Sequence, residues 1–204
     1  VMKLIQNHHI GGLIFFQGDP RNQAKLTNVY QNYSDVPLMI GMDAEWGLGM
    51  RLDSVISYPR QMALGAIQQD SFIYEMGLDM AEQLRRLGVH INFAPVVDVN
   101  NNPDNPVIGS RSFGEDKYNV ARKGISYVNG LQDKGVLAVA KHFPGHGDTD
   151  QDSHETLPVI PHDSARLDSI ELYPFKRMIQ NGVGGMMVAH LQVPAYIENP
   201  NRPT

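Results

Sequence analysis

The segment Lys141-His142-Phe143-Pro144-Gly145-His146-Gly147-Asp148-Thr149-Asp150-Gln151-Asp152-Ser153-His154 sets three histidines and three aspartates within fourteen residues. Five of the chain's eight histidines fall between positions 142 and 190. Histidines among carboxylates can hold a metal, tie turn amides together, or move protons. A metal reading starts from His142 and His146, four apart as in a helical zinc pair. Pro144 and Gly145 stand between them, however, and work against a shared helix face. A structural reading suits single members, Asp148 and Asp150 above all, whose carboxylates can accept from turn amides. Acid–base catalysis by Asp152 and His154 is the strongest of the three. Residues two apart in an extended segment point to one side. Asp152 can then orient and charge-stabilise the His154 imidazole, whose ordinary pKa of about 6.5 suits proton exchange near neutral pH.

Such residues need a scaffold, and the apolar pattern predicts one. Strand-length apolar runs cover 12–16, 37–42, 89–94, 136–140 and 185–189. Stretches rich in helix formers cover roughly 1–9, 21–33, 70–87, 117–134 and 164–181, and Gly88, Gly135 and Gly182 read as C-caps. Continuous apolar strands alternating with amphipathic helices indicate a parallel sheet covered by helices. Titratable residues recur where the strands end: Asp43, Asp98, Lys141 with His142, and His190. That edge binds ligands both in (β/α)8 barrels and in open α/β sheets. A dinucleotide-binding sheet is disfavoured, because Gly145-His146-Gly147 lacks a third glycine and opens no helix. The expected fold is therefore α/β, a (β/α)8 TIM-barrel-type domain. Five strands are visible where a closed barrel has eight. Residues 1–204 read as one partial barrel domain that starts in mid-pattern at Val1-Met2-Lys3 and lacks the barrel's N-terminal part and its final strands.

Composition narrows the function classes. The 204 residues are 42% hydrophobic and 19% charged with a net charge of −5, which argues against a nucleic-acid partner. The absence of cysteine excludes a disulfide scaffold, a thiolate zinc site and a cysteine nucleophile. No apolar run reaches the roughly 18 residues of a membrane span, and no secretory leader is recognisable. Cytoplasmic and periplasmic or secreted placements both stay open, as does the oligomeric state. The nineteen glycines and thirteen prolines exceed the usual share and point to shaped loops.

Four motifs in order resemble glycoside hydrolase family 3, in its β-N-acetylhexosaminidase branch. They are Asp43-Ala44-Glu45-Trp46-Gly47 with Arg51; Asn92-Phe93-Ala94-Pro95-Val96-Val97-Asp98-Val99 followed by Asn105 to Gly114; Lys141 to Gly147 followed by Asp152-Ser153-His154; and Met187-Val188-Ala189-His190. The resemblance spans residues 12 to about 194. It implies a retaining hydrolase that removes non-reducing-end β-linked N-acetylglucosamine, with His154 as general acid/base and Asp152 as its dyad partner. It implies that Asp43 accepts from sugar hydroxyls, with Arg51, Arg111, Lys141 and His142 completing the pocket. Neither cofactor nor metal enters this chemistry. The nucleophilic aspartate of the family is expected beyond residue 204, so the fragment alone should not complete a double displacement. A β-glucosidase-like member of the family and an inactive carbohydrate-binding remnant are the alternatives.

Individual residues carry their own rival readings. Lys141 ends a buried strand, where a charge is costly without partners. Arg111 has Glu115 and Asp116 nearby in sequence as surface partners. Asp98 suits a site role or loop ordering equally, and His190 suits a site or a core. His8, His9, His90 and His162 fit no motif and read as structural or surface residues. Trp46 either stacks on a sugar or packs its loop.

Overall fold

The computed structural model describes residues 1–150 and 157–197 of the chain. Its strands are β1 (Gly12–Phe15), β2 (Met39–Met42), β3 (Ile91–Asn92), β4 (Leu137–Phe143) and β5 (Gly185–Val188). The helices are α1 (Met2–His8), α2 (Pro20–Asn32), α3 (Gln61–Gly65), α4 (Ser71–Arg86), α5 (Lys117–Asp133), α6 (Ser164–Ser169) and α7 (Leu172–Gln180). All four strand pairings are parallel, and the sheet order is β1-β2-β3-β4-β5. A doubly wound sheet reverses its strand order at a switch point. This one does not reverse, so it winds in a single direction as the staves of a barrel do. The five strands form an open arc of a (β/α)8-type barrel.

Period-two alternation sorts the side chains of the arc. The register aligns Ile14 with Gly41, Gly41 with Ile91, and Ile91 with Leu137. Their neighbours Ile40, Met42, Ala138 and Ala140 point the other way and are fully buried under α4 and α5, beside Ile73, Met80, Leu84, Val128 and Leu131. Each isoleucine, leucine, valine or methionine among them contributes about 1.5–3 kcal/mol on leaving water. The concave face is less covered, with Ile14, Met39 and Leu137 all exposed. Among the described residues, no helix is long and apolar enough to cross a membrane.

Two departures from the sequence pattern have physical causes. The helical stretch 164–181 is two helices, broken at Ile170 and Glu171. A continuous helix would bury Pro174 in its interior, where its ring clashes with the preceding turn; the break places it in the first turn of α7. Strand β4 runs three residues past the apolar block, through Lys141, His142 and Phe143, because Val97 and Lys141 exchange backbone bonds with each other's segment. The polar residues at its end are therefore part of the sheet.

Helices α4 and α5 meet backbone to backbone. A methyl group on Gly130 would lie 2.3 Å from the Tyr74 carbonyl oxygen and 2.8 Å from Gly77 Cα. Gly130→Ala should destabilise the fold by about 1–3 kcal/mol. Denaturant titration should show a lower midpoint at unchanged slope, since the surface exposed on unfolding stays the same.

Candidate active site

The ends of β2 and β4 build the centre of the site. Asp43 and Lys141 occupy the next inward positions after Gly41 and Val139. Lys141 Nζ donates to Asp43 Oδ1 at 2.7 Å and lies 2.8 Å from Glu45 Oε1. Asp43 and Glu45 share a side because the chain stays extended through Ala44. The buried Asn92 side chain enforces this, accepting from the Ala44 amide and donating to its carbonyl. Tyr127 Oη donates from below to the carbonyls of Ala44 and Glu45.

Two arginines frame these carboxylates. Arg111, from the 3-10 turn Gly109–Arg111, grips Glu45 through two bonds of 2.7 and 3.0 Å. Arg51 donates to the Asp43 side chain at 3.0 Å and to its carbonyl at 3.1 Å. Glu45 has no solvent exposure. Burial pushes its carboxyl up, but the bonds and charges of Arg111 and Lys141 outweigh this and bring it from 4.5 down to about 2. Burial likewise opposes the Arg111 charge, and Glu45, Asp98 and Asp43 together raise its pKa instead.

A second layer holds the histidines. Asp98, fully buried, accepts from the His142 and His146 amides and from the His142 ring, with Nδ1 2.7 Å away. Burial raises its pKa, yet His142 and those two amides more than offset it and hold the carboxyl below its usual range. His142 Nε2 lies 3.3 Å from Arg111 Nη2. Arginine only donates, so a bond between them requires His142 Nε2 to accept, which leaves Nδ1 to donate to Asp98. His146 is buried with Nδ1 2.6 Å from Thr149 Oγ1, and burial depresses its pKa. The loop must run close: a Cβ on Gly147 would sit 1.9 Å from the Val99 carbonyl oxygen.

Asp43, Glu45, Arg51, Arg111, Lys141, His142 and His146 line a cleft of about 450 Å3, whose other walls include Trp46, Met50, Val107, Met187 and His190. Hydrogen-bonding capacity is left over on residues that line the cleft. Asp43 keeps free lone pairs on both oxygens, Lys141 keeps one proton, and Arg51 keeps several. Two carboxylates in the cleft, Asp43 and Glu45, and a third buried behind His142, Asp98, stand against the three cations Arg51, Arg111 and Lys141. Such a cleft suits a neutral polyhydroxy ring with an apolar face.

The structure brings together five of the residues singled out from sequence: Asp43, Arg51, Arg111, Lys141 and His142. Asp152 and His154 lie outside the described residues. Arg111 pairs with Glu45 rather than with Glu115 or Asp116. Asp98 orders the loop, His190 lines the cleft, and Trp46 both lines it and stacks under Arg60 at 4.3 Å. Glu45 was missed as a site residue; its signal was the two-residue spacing from Asp43, which puts both carboxylates on one side of an extended chain. His142 and His146 do not form a helical pair. Their rings stand edge to face with centroids 6.1 Å apart. Among the described residues, one carboxylate–histidine group has ligand spacing: Asp148, His162 and Glu171, with the Arg166 guanidinium already bridging its two carboxylates.

Residues 1–203 match the family model described as the glycosyl hydrolase family 3 N terminal domain. Over 95% of its length the chain is 40% identical to a protein named beta-hexosaminidase A from Pseudoalteromonas piscicida, covering 35% of that protein. Beta-hexosaminidase LpqI of Mycobacterium tuberculosis is 37% identical over 94% of the chain, which covers 50% of that protein. The solved family 3 beta-N-acetylglucosaminidase of Paenibacillus sp. str. FPU-7 superposes with a TM-score of 0.93 at 45% identity, over 99% of this chain and 40% of that one. The chain thus spans between a third and a half of the length of these relatives.

The folded pKa of Glu45 lies below its ordinary value, so its contribution to stability is complete above pH 4.5 and is lost as pH falls toward 2. Glu45→Gln should lower stability at pH 7 by on the order of 3 kcal/mol. It should also flatten the acid limb between those two pH values. Urea midpoints measured from pH 2 to pH 7 check both.

Proposed function

The chain belongs to glycosyl hydrolase family 3, and from that premise we propose that it supplies the sugar-binding part of a retaining β-N-acetylglucosaminidase active site. The observation that carries this reading is the Asp43–Lys141–Glu45–Arg111 cluster at the strand ends, whose spare donors and acceptors face an electrically balanced cleft. Asp43 accepts from hydroxyls of the terminal sugar while Arg51 and Lys141 hold its carboxylate in place. Lys141 and Arg111 donate to ring substituents. Trp46, Met50, Val107 and Met187 give the pyranose and its N-acetyl methyl an apolar wall.

Hydrolysis proceeds by double displacement. A carboxylate nucleophile, which this reading places beyond residue 204, attacks C1. His154, held by Asp152, gives its proton to the departing glycosidic oxygen as the C1–O bond breaks. Water then attacks C1 of the glycosyl-enzyme and yields a proton to His154, which frees the carboxylate and the sugar. On this reading residues 1–204 supply part of a catalytic barrel.

The test is turnover of aryl β-N-acetylglucosaminides and the matching β-glucosides by the full-length protein. The N-acetylated substrate should be preferred, and the released sugar should first appear as the β-anomer. A preference for the glucoside, or release as the α-anomer, would overturn the reading. Asp43→Ala should reduce kcat/KM by at least about 100-fold, because the substrate hydroxyls then meet unfilled polar positions.

A further inference from the structure

The chain leads into and out of residues 151–156 along two legs that are held by different loops. The outgoing leg is fixed to the loops after β3. Asn105 Nδ2 donates to the His146 carbonyl at 2.8 Å, and Asn102 Nδ2 to the Thr149 carbonyl at 3.3 Å. The returning leg is fixed elsewhere. Ile160 N donates to the Gln192 carbonyl and Gln192 N to the Pro158 carbonyl, both at 2.9 Å. Ile160 packs with Leu167, Leu191 and Val193 in a small apolar cluster separate from the main core.

A side-chain bond joins the legs across fourteen positions of sequence, between Asp148 on the first and His162 Nε2 on the second. Arg166 of α6 reaches Asp148 at 3.5 Å and Glu171 at 3.1 Å. Glu171, almost wholly buried, accepts from Asn101 and so returns the network to the β3 loop. The fit is close, since a Cβ on Gly145 would lie 2.9 Å from Glu171 Cβ. Asp148 and His162 are both partly exposed, so their pairing contributes little to stability. Its effect falls on geometry, because it ties together the two stretches of chain that flank residues 151–156 in sequence.

We propose that His162 and Asp148 are positioning residues of the reaction, clasping the legs of the segment in which Asp152 and His154 stand. The proposal rests on the reading of His154 as acid/base. A proton donor displaced by an ångström loses up to about 100-fold in rate. The loss is felt most where the leaving group needs protonation and least where it departs unaided.

The experiment uses the full-length enzyme with two N-acetylglucosaminides, one with a poor leaving group and one with a dinitrophenolate. His162→Ala should lower kcat about 30-fold on the first and less than about threefold on the second, at unchanged KM. His162→Gln, whose amide still donates to Asp148, should recover to within about threefold of wild type. In a His154→Ala background, His162→Ala should cost less than about twofold more, because both act through one proton transfer. Equal losses on both substrates, multiplicative losses in the double variant, wild-type rates for His162→Ala, or failure of His162→Gln to recover would each overturn the proposal while leaving the acid role of His154 standing. A His154→Ala variant with no leaving-group dependence would overturn that role and the clasp with it. Should His162→Ala fail to fold by circular dichroism, Asp148→Asn carries the same comparison.

Discussion

Glu45 is a carboxylate without access to water, and most of the site follows from the need to neutralise it. Leaving such a charge buried and unpaired costs several kcal/mol. Lys141 and Arg111 meet that requirement from positions 96 and 66 residues away in sequence. Once both cations are drawn to Glu45, Lys141 is within reach of Asp43, Asp43 holds Arg51, and Arg111 lies against His142. One buried ion therefore aligns the ends of β2 and β4 and the turn before α5. The groups that would meet a substrate are ordered before it arrives, so binding need not spend free energy on arranging them.

The sheet makes that convergence possible. Five parallel strands in sequential order carry their C-terminal ends to one rim, so each loop after a strand is adjacent to the loops after its neighbours. Residues distant along the chain become neighbours through topology alone. The α4–α5 seam contributes to the same end: the two glycine backbones touch, which lets Tyr127 reach up from α5 to the carbonyls under Glu45.

The strands and the strand-end residues Asp43, Lys141 and His142 were legible in the sequence because they depend on local pattern, whereas Arg51 and Arg111, which line the same cleft, entered only through the resemblance to the family. Continuous apolar runs mark buried strands, and a charged residue directly after such a run marks a strand end. What escaped was set by partners far away. Glu45 looks like one acidic residue in a loop until Arg111 and Lys141 are placed beside it. His162 reads as a surface histidine because its partner Asp148 lies fourteen positions earlier across a turn. The break before α7 was readable in principle, since Pro174 cannot sit within a long helix, but a continuous amphipathic pattern hid it. Asp98 was ambiguous because a loop-ordering carboxylate and a ligand-binding one look alike until their hydrogen bonds are counted.

The equality of positive and negative side chains in the cleft and directly behind it has a consequence for encounter. A pocket that compensates its own charges projects little field beyond a Debye length, about 8 Å at physiological ionic strength. A neutral glycan fragment would then arrive by unsteered diffusion, at rates that salt scarcely alters. On the proposed function, recognition would begin only on contact, when hydroxyls replace the water on Asp43, Lys141 and Arg51. Discrimination among sugars would then rest on the walls of the cleft, not on a long-range field.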